Sequence, residues 1–114
     1  MKRNSISDRG LIVRDLYLAM VSKLTEVPTW EILDRKRTRK VATARQILLW
    51  AMARLGELST TEVATLTGRD HSTVLYSIKT VEGCLRVPGF GKETEIVEKL
   101  KEFSKQNIYE REEI

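Results

Sequence analysis

Apolar residues recur along this chain at the spacing of helical faces. Leu11, Ile12, Leu16, Leu18, Val21 and Leu24 predict an amphipathic helix from about Asp8 to Leu24. Pro28 interrupts it, and Thr29 is placed to cap a short second helix carrying Trp30, Ile32 and Leu33. From Arg35 to Lys40 there is no apolar residue until Val41, so this stretch is expected to be a loop. Thr43 then opens a helix with Ile47, Leu48, Trp50, Ala51 and Leu55 on its buried side, and Gly56 is its expected stop. Ser59-Thr60-Thr61-Glu62 has the form of a capping box, in which Ser59 and Glu62 satisfy each other's amides. The short helix it starts presents Val63, Ala64 and Leu66. Thr67-Gly68-Arg69 makes a turn, and Asp70 caps the next helix, His71 to about Leu85, with Val74, Leu75, Ile78 and Val81 inward. Val87-Pro88-Gly89 breaks the chain, and Ile96, Val97, Leu100 and Phe103 mark a last helix before a frayed polar tail at 105–114. No segment alternates with the period of two that a strand requires, and no internal repeat is visible. The expected fold is all-α: one small helical bundle, its core at about 8–104 and a helix-turn-helix at about 59–85. Trp30 and Trp50 are read as core residues, and Cys84 as buried or half-buried.

Composition narrows the chemistry. A chain of 114 residues, 41% of them hydrophobic, suits one domain with a real core. No apolar run approaches the roughly 18 residues that span a bilayer. Met1-Lys2-Arg3-Asn4-Ser5 has no apolar segment behind it, so no secretory signal is read there. A single cysteine, Cys84, allows no internal disulfide, and a single histidine, His71, argues against a multi-histidine zinc site. With neither a positioned base nor a metal in view, an enzyme is not expected.

Charge is unevenly spread. Residues 1–91 hold 15 basic and 9 acidic side chains, and residues 92–114 hold 5 and 7, so +6 and −2 make up the net +4. Arg35, Lys36, Arg37, Arg39, Lys40 and Arg45 fall within eleven positions with no acid between them. Such a cluster suits an anionic partner, although a solvated loop has the same composition. Gly91-Lys92 is not a phosphate loop, because Arg86 stands where its first glycine belongs and Glu93 replaces the Ser/Thr.

The first turn of the helix after Gly68 presents Asp70, His71, Ser72 and Thr73, short groups able to meet base edges in a major groove. The run Gly68-Arg69-Asp70-His71-Ser72-Thr73-Val74-Leu75 closely resembles the signature, typically GRDHTTVLHA, of the C-terminal DNA-binding domain of the bacterial replication initiator DnaA. Upstream, Arg37-Thr38-Arg39-Lys40-Val41-Ala42-Thr43-Ala44-Arg45-Gln46-Ile47 is similar to that family's basic loop and following helix start. The spacing of the blocks agrees to within one residue, and the resemblance spans about Leu11 to Phe103.

That resemblance implies a Trp-repressor-like helix-turn-helix unit that binds duplex DNA at DnaA-box-like origin sites. Carried over by position, Asp70, His71 and Ser72 would read bases in the major groove, and Thr61, where the family usually has proline, would offer a methyl to a base. Arg37 would enter the neighbouring minor groove. Arg39, Lys40, Arg45 and Gln46 would meet phosphates, with Arg69, Thr73, Tyr76 and Lys79 also on the backbone. The turn Leu66-Thr67-Gly68 is one residue shorter than the family's Phe-Gly-Gly, Ser72 replaces the usual threonine, and Ala53 replaces a common basic residue. The resemblance stops short of the family's ATPase domain, so no cofactor and no nucleotide-driven step are expected. The implied setting is cytoplasmic and nucleoid-associated, with no membrane or small-molecule partner; an ATPase-bearing initiator is a further partner if this is a fragment or a regulator. Two other readings remain open: a stand-alone transcriptional regulator with altered site preference, and a protein-interaction module using the basic loop.

Overall fold

A computed structural model describes residues 7–35, 37–86 and 91–112, with side chains as far as residue 106. Six helices make up this part: α1 (Asp8–Thr25), α2 (Thr29–Leu33), α3 (Arg39–Arg54), α4 (Thr60–Thr67), α5 (His71–Leu85) and α6 (Lys92–Glu112). No strand occurs among the described residues. The all-α expectation holds.

Helix α3 is the centre. From Ile47 to Ala53 every residue is buried, so this helix is apolar all round, as a core helix must be. It packs on α1, α2, α4 and α5. Around it lie Val13, Tyr17, Leu18 and Val21 of α1, Val63 and Leu66 of α4, Val74, Ile78 and Val81 of α5, and Val97 and Leu100 of α6. Each such side chain contributes about 1.5–3 kcal/mol of burial. Tyr17 meets Phe103 edge to face, ring centroids 6.1 Å apart, which fastens α1 to α6.

Several local expectations are corrected. Helix α3 begins at Arg39, not Thr43: Thr38 takes the extended cap conformation and its hydroxyl accepts from the Val41 amide. Arg39 and Lys40 therefore sit on a helix rather than a loop. Helix α2 is capped by the position of Pro28, with no side-chain bond. Helix α6 continues as backbone to Glu112, where a frayed end was expected. Ser59 does accept from the Glu62 amide at 3.1 Å, but the Glu62 carboxylate accepts instead from Ser7 Oγ at 3.0 Å. Half of the predicted box is thus spent on joining α1 to α4. The predicted break at Val87-Pro88-Gly89, and Lys36 of the basic cluster, lie outside the described residues.

Which apolar residues are inside also differs. Ile12 and Leu16 are 55% and 38% exposed, because Val13, Tyr17 and Val21 take the inward stripe of α1. Trp30 is 66% exposed; a single turn has one inner side, and Ile32 occupies it. Trp50 and the half-buried Cys84 are where they were expected. Leu75 lies just outside the arc formed by Val74, Ser77, Ile78 and Val81, so it is 45% exposed and Ser77 is buried in its stead.

Two glycines are dictated by geometry. Gly68 ends α4 at φ 68°, a left-handed conformation that glycine adopts without strain, and the next amide, of Arg69, bonds back to the Ala64 carbonyl at 3.0 Å. This sharp stop aims α5 away from α4. At Gly56 a Cβ would lie 2.5 Å from Val13 Cγ1 and 2.7 Å from the Met52 carbonyl oxygen, so α1 closes onto the end of α3 only over a bare backbone.

Candidate nucleic-acid interface

Helices α4 and α5, joined through Gly68, form the helix-turn-helix, and α5 is the second, longer helix. Its first residues, His71, Ser72 and Thr73, are all exposed, as are Asp70 before them and Thr61 at the start of α4. Asp70 occupies the N-cap position, yet its side chain makes no capping hydrogen bond. The expectation that it caps is corrected: the carboxylate stands at the helix tip turned to no amide of its own helix. Thr60 Oγ1 lies 2.6 Å from His71 Nε2, so the starts of α4 and α5 touch. Further along α5, Tyr76 and Lys79 continue the exposed side beyond Ser72, with Leu75 beside them.

A second group of charges is assembled by α2 and the segment after it. The Arg45 guanidinium donates from Nε to the Ile32 carbonyl at 2.8 Å, and from Nη2 to those of Glu31 at 3.3 Å and Asp34 at 2.6 Å. Arg69, from the turn before α5, donates from Nη2 to the Leu33 carbonyl at 3.1 Å and also to that of Asp34. Two arginines from distant positions thus hold the four carbonyls at the end of α2, where the helix dipole is negative. The arrangement ties the end of α2, as far as Asp34, to the turn that starts α5.

The family resemblance implies that Arg45 and Arg69 meet the DNA backbone. The structure places both in this bracket, half-buried, with their donors on backbone carbonyls. Burial pushes the Arg45 guanidinium below its ordinary value, with Arg69 and Arg37 adding to the effect and Asp34 opposing it. Arg69 is pushed down by burial and by Arg35, again against Asp34. In both, burial is the larger cause and the neighbouring guanidinium adds to it.

Arg37, Arg39 and Lys40 are exposed. The first turn of α3 carries two cations and no acid, although the positive end of a helix dipole favours acids. Such a turn is electrostatically unfavourable by itself and is relieved by an anion. Gln46 is half-buried in a cleft of about 260 Å³ that it shares with Arg39, Thr43, Thr80 and Cys84. Lys40 faces a neighbouring cleft of about 440 Å³ with Glu26, Lys92 and Glu93, where charges of both signs meet.

The motif reading missed two residues. Thr60 escapes it because its partner is eleven positions away across a turn. Arg35 escapes it because the motif blocks begin at Arg37, and its proximity to Arg69 arises only when α2 is stapled to the turn. No group of metal-ligating side chains is present among the described residues. None of the described helices is long and apolar enough to cross a membrane.

Comparison with known proteins agrees with this architecture. The family model described as the bacterial dnaA protein helix-turn-helix matches residues 15–81, more than half of the chain. The chain is similar to the chromosomal replication initiator protein DnaA of Lachnoclostridium phytofermentans, 35% identical over 79 residues, covering 68% of this chain and 17% of that protein. It is similar to the Bacteroides thetaiotaomicron protein of the same name, 34% identical over 88 residues, covering 75% and 19%. With that of Treponema pallidum it is 43% identical over 54 residues, covering 46% and 12%. The chain therefore spans less than a fifth of the length of these relatives. Its helices, its turn at Gly68 and the matched residues together show that it belongs to the bacterial DnaA helix-turn-helix family.

Proposed function

We propose that this chain binds duplex DNA sequence-specifically at DnaA-box-like sites and acts in the initiation of DNA replication or its regulation. The observation that carries the reading is the bracket built by Arg45 and Arg69, which ties the end of α2, just ahead of Arg35, to the turn before the exposed start of α5. In this reading α5 enters the major groove, where Asp70 accepts from a cytosine amino group and Ser72 bonds a base edge or packs beside it. His71 reads a base through its ring, and the Thr61 methyl meets a thymine methyl. Arg37 reaches into the adjacent minor groove, where a narrow A·T-rich stretch concentrates negative potential. Arg39 and Lys40 at the start of α3, with Thr73, Tyr76 and Lys79 on α5, hold phosphates and set the register. Gln46 adds to these from the cleft beside Arg39. Arg45 and Arg69 act chiefly by holding the two reading elements at a fixed separation.

The test is fluorescence anisotropy at near-physiological salt, with one labelled duplex carrying a DnaA-box sequence and one scrambled duplex of equal composition. Preference for the box supports the reading. Equal, salt-sensitive binding to both would show that the shortened turn has moved the target. Binding to neither would overturn the reading in favour of a protein partner for the basic segment.

A further inference from the structure

We propose that Thr60 is the positioning residue for His71, fixing the imidazole with its Nδ1–H as the group offered to DNA. The inference rests on the reading of α5 as the recognition helix. The distance between Thr60 Oγ1 and His71 Nε2 is 2.6 Å. That is a short hydrogen-bond contact, in which either the hydroxyl or a ring N–H can be the donor. In the arrangement proposed, the threonine hydroxyl donates and Nε2 accepts with its lone pair. A neutral imidazole carries one proton, so that proton is on Nδ1.

The consequence is a choice of base edge. An Nδ1–H donor complements acceptors in the major groove: N7 of a purine, O6 of guanine or O4 of thymine. It does not complement the amino groups of cytosine or adenine. His71 and its neighbour Asp70 then read opposite chemistries, a donor beside an acceptor. Thr60 also ties the first turn of α4 to the first turn of α5, so the ring is held before DNA arrives and loses little rotamer freedom on binding.

His71 is the only histidine in the chain, so its ring nitrogens are observed without interference. Long-range proton–nitrogen correlation spectra of the free protein at about pH 8, where an ordinary imidazole is neutral, report the tautomer directly. The wild type is expected to show Nδ1 protonated. T60S, which keeps the hydroxyl, is expected to match it, and T60V, which removes it, is expected to lose that preference. A wild type protonated at Nε2, or a T60V spectrum identical to the wild type, would overturn the proposal.

On duplexes, T60V is expected to reduce box-over-scrambled discrimination about five- to tenfold, with T60S close to wild type. The effect is expected to vanish in an H71A background. A T60V loss shared equally by all sequences, with a lowered unfolding temperature, would overturn the proposal by making Thr60 merely structural. A wild type with Nδ1 protonated that ignores the box would overturn the DNA reading of α5, while the Thr60–His71 bond stood.

Discussion

At the scale of single residues, the side chains divide by what they touch. His71 and Arg37 are exposed and are assigned to base edges and a groove, whereas Lys40 is assigned to a phosphate. His71→Ala and Arg37→Ala are each expected to weaken binding to the box by about 1–3 kcal/mol and to flatten sequence preference. Lys40→Ala is expected to weaken box and scrambled duplex alike, and anisotropy titrations on both duplexes separate the two patterns. A second residue-scale case is Glu82, whose carboxylate accepts from Arg54 Nε at 2.7 Å. The Arg54 hydrogen bond holds Glu82 below the usual glutamate range, against a smaller opposing effect of burial. The folded-state value being lowered, the pair's contribution is present above ~4.3 and is lost as pH falls through the folded value. Thermal scans of Glu82→Gln against the wild type should therefore differ at neutral pH, by at most ~1 kcal/mol for so exposed a pair, and converge in acid.

At the scale of elements, glycine substitutions distinguish packing from conformation. Gly56→Ala would push a methyl into Val13 and the Met52 carbonyl, and is expected to cost about 1–3 kcal/mol in denaturant unfolding. Gly83 lies within α5 with open space around it, so Gly83→Ala is expected to stabilise by about 0.5–1 kcal/mol. The pair of results would show that α5 is held as a helix and that the α1–α3 junction is tight. The arginine bracket makes an element-scale prediction for binding. If Arg69 holds the Arg37 segment in place, Arg37→Ala and Arg69→Ala are expected to be non-additive on the box by about 0.5–3 kcal/mol. Additive losses in that double-mutant cycle would assign Arg69 to a separate phosphate.

The whole molecule has its charges sorted. Arg35, Arg37, Arg39, Lys40 and Lys79 are exposed near the helix-turn-helix and the start of α3, while residues 92–114 are net acidic. Release of counterions from phosphates met by about three cations, Arg39, Lys40 and Lys79, predicts a slope of about −3 in log K against log salt. A slope near zero would place binding elsewhere than on the phosphates.

Much of this was legible in the letters, for reasons that are local. Capping residues, a glycine at a positive φ and apolar spacing act within one or two turns, so they predict α5 from His71 to about Leu85, as found, and α1 to within a residue. The GRDH run identified the family for the same reason, since a recognition helix and its turn are one contiguous segment. Tertiary structure decided the rest. Ile12, Leu16, Trp30 and Leu75 are apolar by sequence and exposed by packing, because a helix buries only the arc that its neighbours reach. Helix α3 starts at Arg39 because the Thr38 cap outweighs two cations on its first turn. Arg45 and Arg69 turned to the carbonyls of α2, and Thr60 met His71, through contacts across 11 to 36 positions of sequence. By itself the sequence determined which helices form and which family signature they carry. Only the fold decided which charges are fixed as a bracket and which stay open to a partner, because that depends on where distant backbone carbonyls come to lie.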